Sequence, residues 1–249
     1  MPRLERRLVC RGYEMDARQR VSPGALARYM EHLRWEAIYA GSFGLAQLFA
    51  TGHKMVVRAQ DLWIGAPALH GTELALTLSL ARVGNSSLVF AESATRVNDG
   101  ADVARAFVTL VVLDAHGKPT RVPEAMRAEL EAAQVPEVPS LEVSVPSDGY
   151  TRSVGVRPSD LDTLLHVNQS RYVDFVDDTR SLMLTARGST GQAAHPSRIV
   201  IDYRRETHVG RDLSAHACTL DDEARAIAVD LRDAVDGELV ARARIMGGH

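Results

Sequence analysis

Asp99-Gly100-Ala101-Asp102-Val103-Ala104-Arg105-Ala106 returns further along the chain as Asp236-Gly237-Glu238-Leu239-Val240-Ala241-Arg242-Ala243, 137 positions on. Upstream of it, Gly71-x-Glu73-Leu74 matches Gly210-x-Asp212-Leu213 at an offset of 139, and Tyr29-Met30-Glu31 matches Tyr172-Val173-Asp174 at 143. Three matches in the same order with smoothly falling offsets describe a duplication whose second copy has shorter loops. Each copy carries the same pattern. In the first, Ser22 is placed to cap a helix and Pro23 suits its first turn, after which Leu26, Tyr29, Met30, Leu33, Ala37 and Ile38 recur at helical spacing until Gly41. Extended stretches follow at Met55 to Trp63, at Leu74, Leu76, Leu78 and Leu80 in period two, at Ser87 to Val97 and at Val103 to Asp114, with Asn98-Asp99-Gly100 as a hairpin turn.

The second copy predicts a helix from about Asn168 to Ala186 and strands at Arg198 to Arg205, Leu213 to Leu220, Arg225 to Arg232 and Glu238 to Met246. A strand precedes each helix, at Leu8 to Met15 and Tyr150 to Arg157. One long helix followed by an antiparallel meander is the order of the hotdog fold, an α+β architecture in which the sheet wraps a central helix. A lone hotdog leaves sheet edges open, so two fused copies are expected to form an intrachain pseudo-dimer. The expected organisation is a domain at 1–133, a linker at 134–147 around Val135-Pro136-Glu137-Val138-Pro139, and a domain at 148–249.

Composition narrows the function. The 249 residues hold 29 Lys and Arg against 32 Asp and Glu, a net charge of −3, which gives no electrostatic footprint for nucleic acid or an anionic membrane. Cys10 and Cys218 are the two cysteines and form no metal-binding pair, the N-terminus has no apolar signal region, and no apolar run is long enough to span a bilayer. A protein of the reducing cytoplasm is expected. No G-x-S-x-G, P-loop, G-x-G-x-x-G or H-E-x-x-H motif occurs, and the scattered histidines predict neither a metal nor a cofactor.

One segment concentrates chemistry: Asp160-Leu161-Asp162-Thr163-Leu164-Leu165-His166-Val167-Asn168, just ahead of the second helix. It sets carboxylate, imidazole and amide where free backbone N–H groups favour negative charge, a suitable place for an oxyanion, although the same residues would also serve as a cap. At the repeat offset of 143 the positions of His166 and Asn168 fall on Pro23 and Ala25, and at 139 that of Glu206 falls on Pro67. Glu206 ends the charged strand Tyr203-Arg204-Arg205-Glu206, sharing a face with Arg204.

Asp160-Leu161-Asp162-x-x-x-His166-Val167-Asn168, followed by Tyr203-Arg204-Arg205-Glu206, resembles the C-terminal half of the acyl-ACP thioesterases, tandem-hotdog enzymes of plants and bacteria. Tyr13-Glu14, the long helix to Glu36 and Pro123-Glu124 extend the resemblance through the first half. It implies a thiolester hydrolase of fatty acid biosynthesis that acts on fatty acyl-ACP or acyl-CoA without cofactor, as a monomer or homodimer. The catalytic residues it implies are Asp162, His166 and Glu206, with Glu206 or Asp162 as the base and Asp162 otherwise fixing His166 or the helix-end amides. Leu164 stands where the family has Asn, so the oxyanion would depend on backbone N–H groups and Asn168, or the activity would be weakened or altered; Thr207 stands where the family often has Cys. The first domain would be non-catalytic and wall an acyl pocket, with Phe43 to Phe49 either lining it or packing on the helix. A hotdog dehydratase and a non-catalytic acyl-binding protein are the alternatives.

Overall fold

A computed structural model describes residues 3–128, 135, 141–142, 144–146, 148–188, 195–221, 223 and 225–247. The chain divides into two compact units, Met1–Glu137 and Val138–His249. Most of the expected linker at 134–147 lies outside the described residues.

The first unit contains β1 (Leu4–Val9), α1 (Pro23–Tyr39), a short α2 (Leu45–Ala50), then β2 (Lys54–Ile64), β3 (Glu73–Val83), β4 (Ser87–Arg96), β5 (Asp102–Leu113) and a single turn, α3 (Glu124–Arg127). Its strands are antiparallel in the order β1-β3-β4-β5-β2. The second unit contains β6 (Tyr150–Val154), α4 (Gln169–Ala186), β7 (Pro196–Tyr203), β8 (Leu213–Thr219), β9 (Ala226–Asp233) and β10 (Leu239–Gly247). Their order, β6-β8-β9-β10-β7, repeats that of the first unit element for element.

Period two decides which face of each sheet meets its helix. Leu74, Leu76, Leu78 and Leu80 of β3 are all fully buried, and α1 packs on that strand with Leu26, Met30, Leu33 and Ala37. Fully burying one such leucine contributes roughly 1.5–3 kcal/mol, so this row and the helix stripe against it form the centre of the core. In the second unit Tyr172, Val173, Val176 and Met183 of α4 are buried, and the helix packs on β8. Phe43, Leu45 and Leu48 are buried as well, with the Phe43 ring edge-on to Phe90 at 5.5 Å, so this stretch packs into the core of its own unit. Gly100 and Gly237 take the left-handed backbone of the matching hairpin turns, at φ 70° and 73°.

The loop that leads into each helix is also repeated, in a register that the sequence self-match misses. The N-caps are Ser22, whose Oγ accepts from the Ala25 N–H, and Asn168, whose Oδ1 accepts from the Ser170 N–H. These positions are 146 apart, and so are the isolated bridges Met15–Val21 and Leu161–Val167 and the left-handed residues Gln19 and Leu165. The buried arginines Arg34 and Arg180 keep the same offset into the helices. The counterpart of His166 is therefore Arg20 rather than Pro23, and that of Asn168 is Ser22 rather than Ala25. For Glu206 the offset of 139 holds, because the Thr207 carbonyl accepts from the Val167 N–H as the Ala68 carbonyl accepts from the Val21 N–H.

Candidate active site

A tight loop carries His166 to the start of α4. Asp162 Oδ1 accepts the N–H groups of Leu164 at 2.8 Å and His166 at 3.3 Å, while the Asp162 N–H donates to the His166 carbonyl at 2.8 Å. Leu165, at φ 64°, makes the reversal. In the first unit Asp16 does the same work: its Oδ1 accepts from Arg18 and Arg20, and its N–H donates to the Arg20 carbonyl. The side chain of Asp162 thus holds the backbone on which His166 sits.

Asp160, fully buried, anchors the loop from behind. Its carboxylate accepts from the Arg157 N–H and from the guanidiniums of Arg157 and Arg171. Burial by itself would raise its pKa, but these donors outweigh burial and hold it below the usual carboxylate value. The Asn168 N–H donates to the Asp160 carbonyl and the Val167 N–H to Thr207, while Ser170 N–H is capped by Asn168 Oδ1 and Arg171 N–H by the Asn168 carbonyl. At the helix start, where free amides were expected, those of Val167, Asn168, Ser170 and Arg171 are thus engaged within the protein.

Glu206 arrives from the other side. β7 ends at Tyr203, so Arg204, Arg205 and Glu206, which were expected to continue it, lie beyond the strand and their side chains follow no alternation. Arg204 pairs with Asp202, and Arg205 with Asp236. That leaves Glu206 directed to His166, with Oε2 3.3 Å from Nε2; the imidazole is 28% exposed and the carboxylate 56%. The buried Thr207 carbonyl, bonded to Val167, locks the two segments side by side.

Three further residues shape the site without having been singled out in the sequence. His208 sets its ring edge-on to His166 at 4.7 Å. Tyr172 is buried against Tyr203, and burial pushes its phenol up to about 12, with the Thr207 hydroxyl opposing and the Glu206 charge adding to the shift. Arg211 bonds Asp233 and Asp236 and, with Arg204, Arg205, Asp233 and residues 206–208, lines an open cavity of about 420 Å³. Leu164, Leu165 and Val209 are exposed large apolar residues on the two loops that carry His166 and His208.

Residues 146–246 match the family model described as the acyl-ACP thioesterase C-terminal domain. The second unit belongs to the acyl-ACP thioesterase family. The chain is accordingly a thioester hydrolase, as its motif implies. Solved structures extend the likeness in fold to both units. The chain superposes on the 12:0-ACP thioesterase from Umbellularia californica with a TM-score of 0.82 and 19% identity, over 98% of this chain and 96% of that one. On an acyl-ACP thioesterase from Bacteroides thetaiotaomicron the TM-score is 0.84 at 17% identity, over 99% and 98%. At these identities the comparison establishes the fold, a tandem hotdog of the α+β class. No curated protein sequence matches the chain. Among the described residues of this thioesterase no helix is long and apolar enough to cross a membrane.

Proposed function

We propose that the enzyme hydrolyses fatty acyl thioesters carried on the phosphopantetheine of acyl carrier protein, in the cytoplasm, with the reaction confined to the second unit. The observation that carries this reading is the 3.3 Å approach of His166 Nε2 to Glu206 Oε2 beside the cavity, at positions where the first unit has Arg20 and Pro67. The helix start and the loop are otherwise the same, so the fold does not require this pair.

Glu206 acts as the general base. It takes a proton from a water molecule, the water oxygen attacks the thioester carbonyl, and the tetrahedral intermediate expels the thiolate, which recovers the proton from Glu206. His166 positions the water and the Glu206 carboxylate. Asp162 is a positioning residue that fixes the His166 backbone. The oxygen of Asn168 is committed to the helix cap, so its part in holding the oxyanion falls to its amide nitrogen. The exposed leucines of the loop offer apolar surface to the acyl chain. No side chain becomes acylated in this scheme.

Thiol release from acyl-ACP and acyl-CoA across short, medium and long chains tests the proposal. Hydrolysis in water enriched in heavy oxygen should label the free acid, with no acyl group retained on the protein. A substrate set in which no acyl-ACP is cleaved faster than its CoA counterpart would remove the carrier protein from the reading. An acylated protein trapped on the pathway would remove the base mechanism.

A further inference from the structure

His166, Glu206 and His208 each present a donor atom, and the three atoms lie within 4.8 Å of one another. We propose that these side chains form a binding site for one divalent transition-metal ion of the zinc class, and that the bound ion occupies the catalytic pair and stops hydrolysis. The inhibitory part rests on the assignment of His166 and Glu206 as the reacting pair.

Two imidazoles and one carboxylate make up the protein ligand set of zinc sites that keep a fourth position open. Tetrahedral ligands at roughly 2.0–2.1 Å from zinc stand about 3.4 Å from one another. His166 Nε2 and Glu206 Oε2 already stand at 3.3 Å. His208 is exposed, and small torsional adjustments within its rotamer and those of its partners close the remaining distance. Its Nδ1 lies 3.4 Å from the Leu165 carbonyl oxygen; donating Nδ1–H there leaves Nε2 with the lone pair an ion needs, and such an outer partner is usual for ligating histidines. Mixed nitrogen and oxygen donors favour zinc, cobalt or nickel over magnesium and calcium, which take oxygen ligands. In the first unit the corresponding positions hold Arg20, Pro67 and Leu69, so the repeated fold does not generate the cluster by itself.

The consequence for the reaction follows from electron pairs. A carboxylate that gives its lone pair to a metal no longer accepts a proton from water, and an imidazole so bound no longer orients that water. Removing the ion restores both, and nothing covalent changes.

The full chain, stripped with a chelator, should be titrated with Zn²⁺ by calorimetry and with Co²⁺ by visible absorption, alongside the hydrolysis assay. One ion per chain is expected, with the intense visible bands of low-coordinate cobalt, and the rate should fall with the same midpoint and recover on chelation. In His208→Ala, binding should weaken roughly tenfold or more, and hydrolysis, measured against that variant's own metal-free rate, should lose its zinc sensitivity by the same factor. His208→Gln, closer in size, provides the same reading if the alanine variant does not fold. Zinc affinity unchanged in the His208 variants, or no cobalt bands at micromolar ion, would overturn the site. A rate that rises with zinc would overturn the inhibition. If the chain binds one zinc ion through His208 yet cleaves no thioester, the site stands and the hydrolytic reading fails.

Discussion

Glu206 and His166 are delivered by different chain segments and neither holds the fold together, which makes their chemistry separable from stability. Glu206→Gln and His166→Ala should each lower kcat by about 10²-fold or more while melting temperatures stay near wild type, read by single-turnover assays beside thermal melts. Asp162 should behave differently. Asp162→Asn keeps an oxygen for the Leu164 and His166 amides and should retain most of the rate, whereas Asp162→Ala releases the loop, costs about 1–2 kcal/mol in denaturant melts and lowers kcat as His166 drifts. Asn168→Asp separates two roles in one side chain: the capping oxygen remains and the amide donor goes, so a large fall in kcat at unchanged stability marks the oxyanion contact. Normal turnover in that variant would assign Asn168 to the cap alone. The meeting of His166 and Glu206 was legible in the sequence because the motif pairs their two segments. The part Asp162 plays was legible only as one of two readings, base or support for His166, since a carboxylate that bonds to backbone amides has no spacing to distinguish it from one that faces substrate. His208 lay in a loop with no periodicity to point inward or outward.

Most helices and strands were legible to within a few residues, because buried leucines at period two and capped apolar stripes are strong signals. The first strand was not: it was expected at Leu8 to Met15 and lies at Leu4–Val9, a mostly exposed strand with no buried row to mark it, followed by a single turn at Gly12–Glu14. The short helix Leu45–Ala50 was not expected either. Two further element-level expectations needed the coordinates. The strand read through to Glu206 ends at Tyr203, where paired charges imitate an exposed strand face as readily as a loop. The repeat was set three residues out along the helix, and a shift of three returns to nearly the same face, so apolar matching cannot detect it. The corrected register explains why both helices carry a buried arginine, Arg34 meeting Glu92 at 2.5 Å and Arg180 meeting Asp177 at 3.4 Å. Burial raises Asp177 to about 6, with Arg180 opposing and Asp178 adding. An acid raised above its unfolded value of about 3.9 contributes stability that is full below that pH and lost as pH rises through about 6. Asp177→Asn should therefore leave stability unchanged near pH 4 and raise it by about 1–2 kcal/mol above pH 7, a figure reduced because the carboxylate is about one-fifth exposed. Urea melts across that pH range check it, and a gain that is the same at both ends would mean that titration is not the cause.

At the scale of the molecule, duplication has produced two units of one topology, and one of them carries the pair proposed to react. The boundary between Glu137 and Val138 falls inside the stretch that the sequence assigned to a linker, so limited proteolysis should cut first between 134 and 147. A first cut within Leu74 to Val97 would break a buried strand pair and would count against the proposed domain limits. The match between the loops reaches further than ancestry. Asp16 holds the first unit's loop just as Asp162 holds the second's, Gln19 makes the same reversal as Leu165, and only Arg20 and Pro67 interrupt the correspondence at the two reactive positions. The first unit is in that sense a vacant socket with its wiring in place. Arg20→His together with Pro67→Glu would transplant the pair onto an existing mount, with the donor design encoded in the same polypeptide, and would give protein engineers an internal recipient for a second reaction centre.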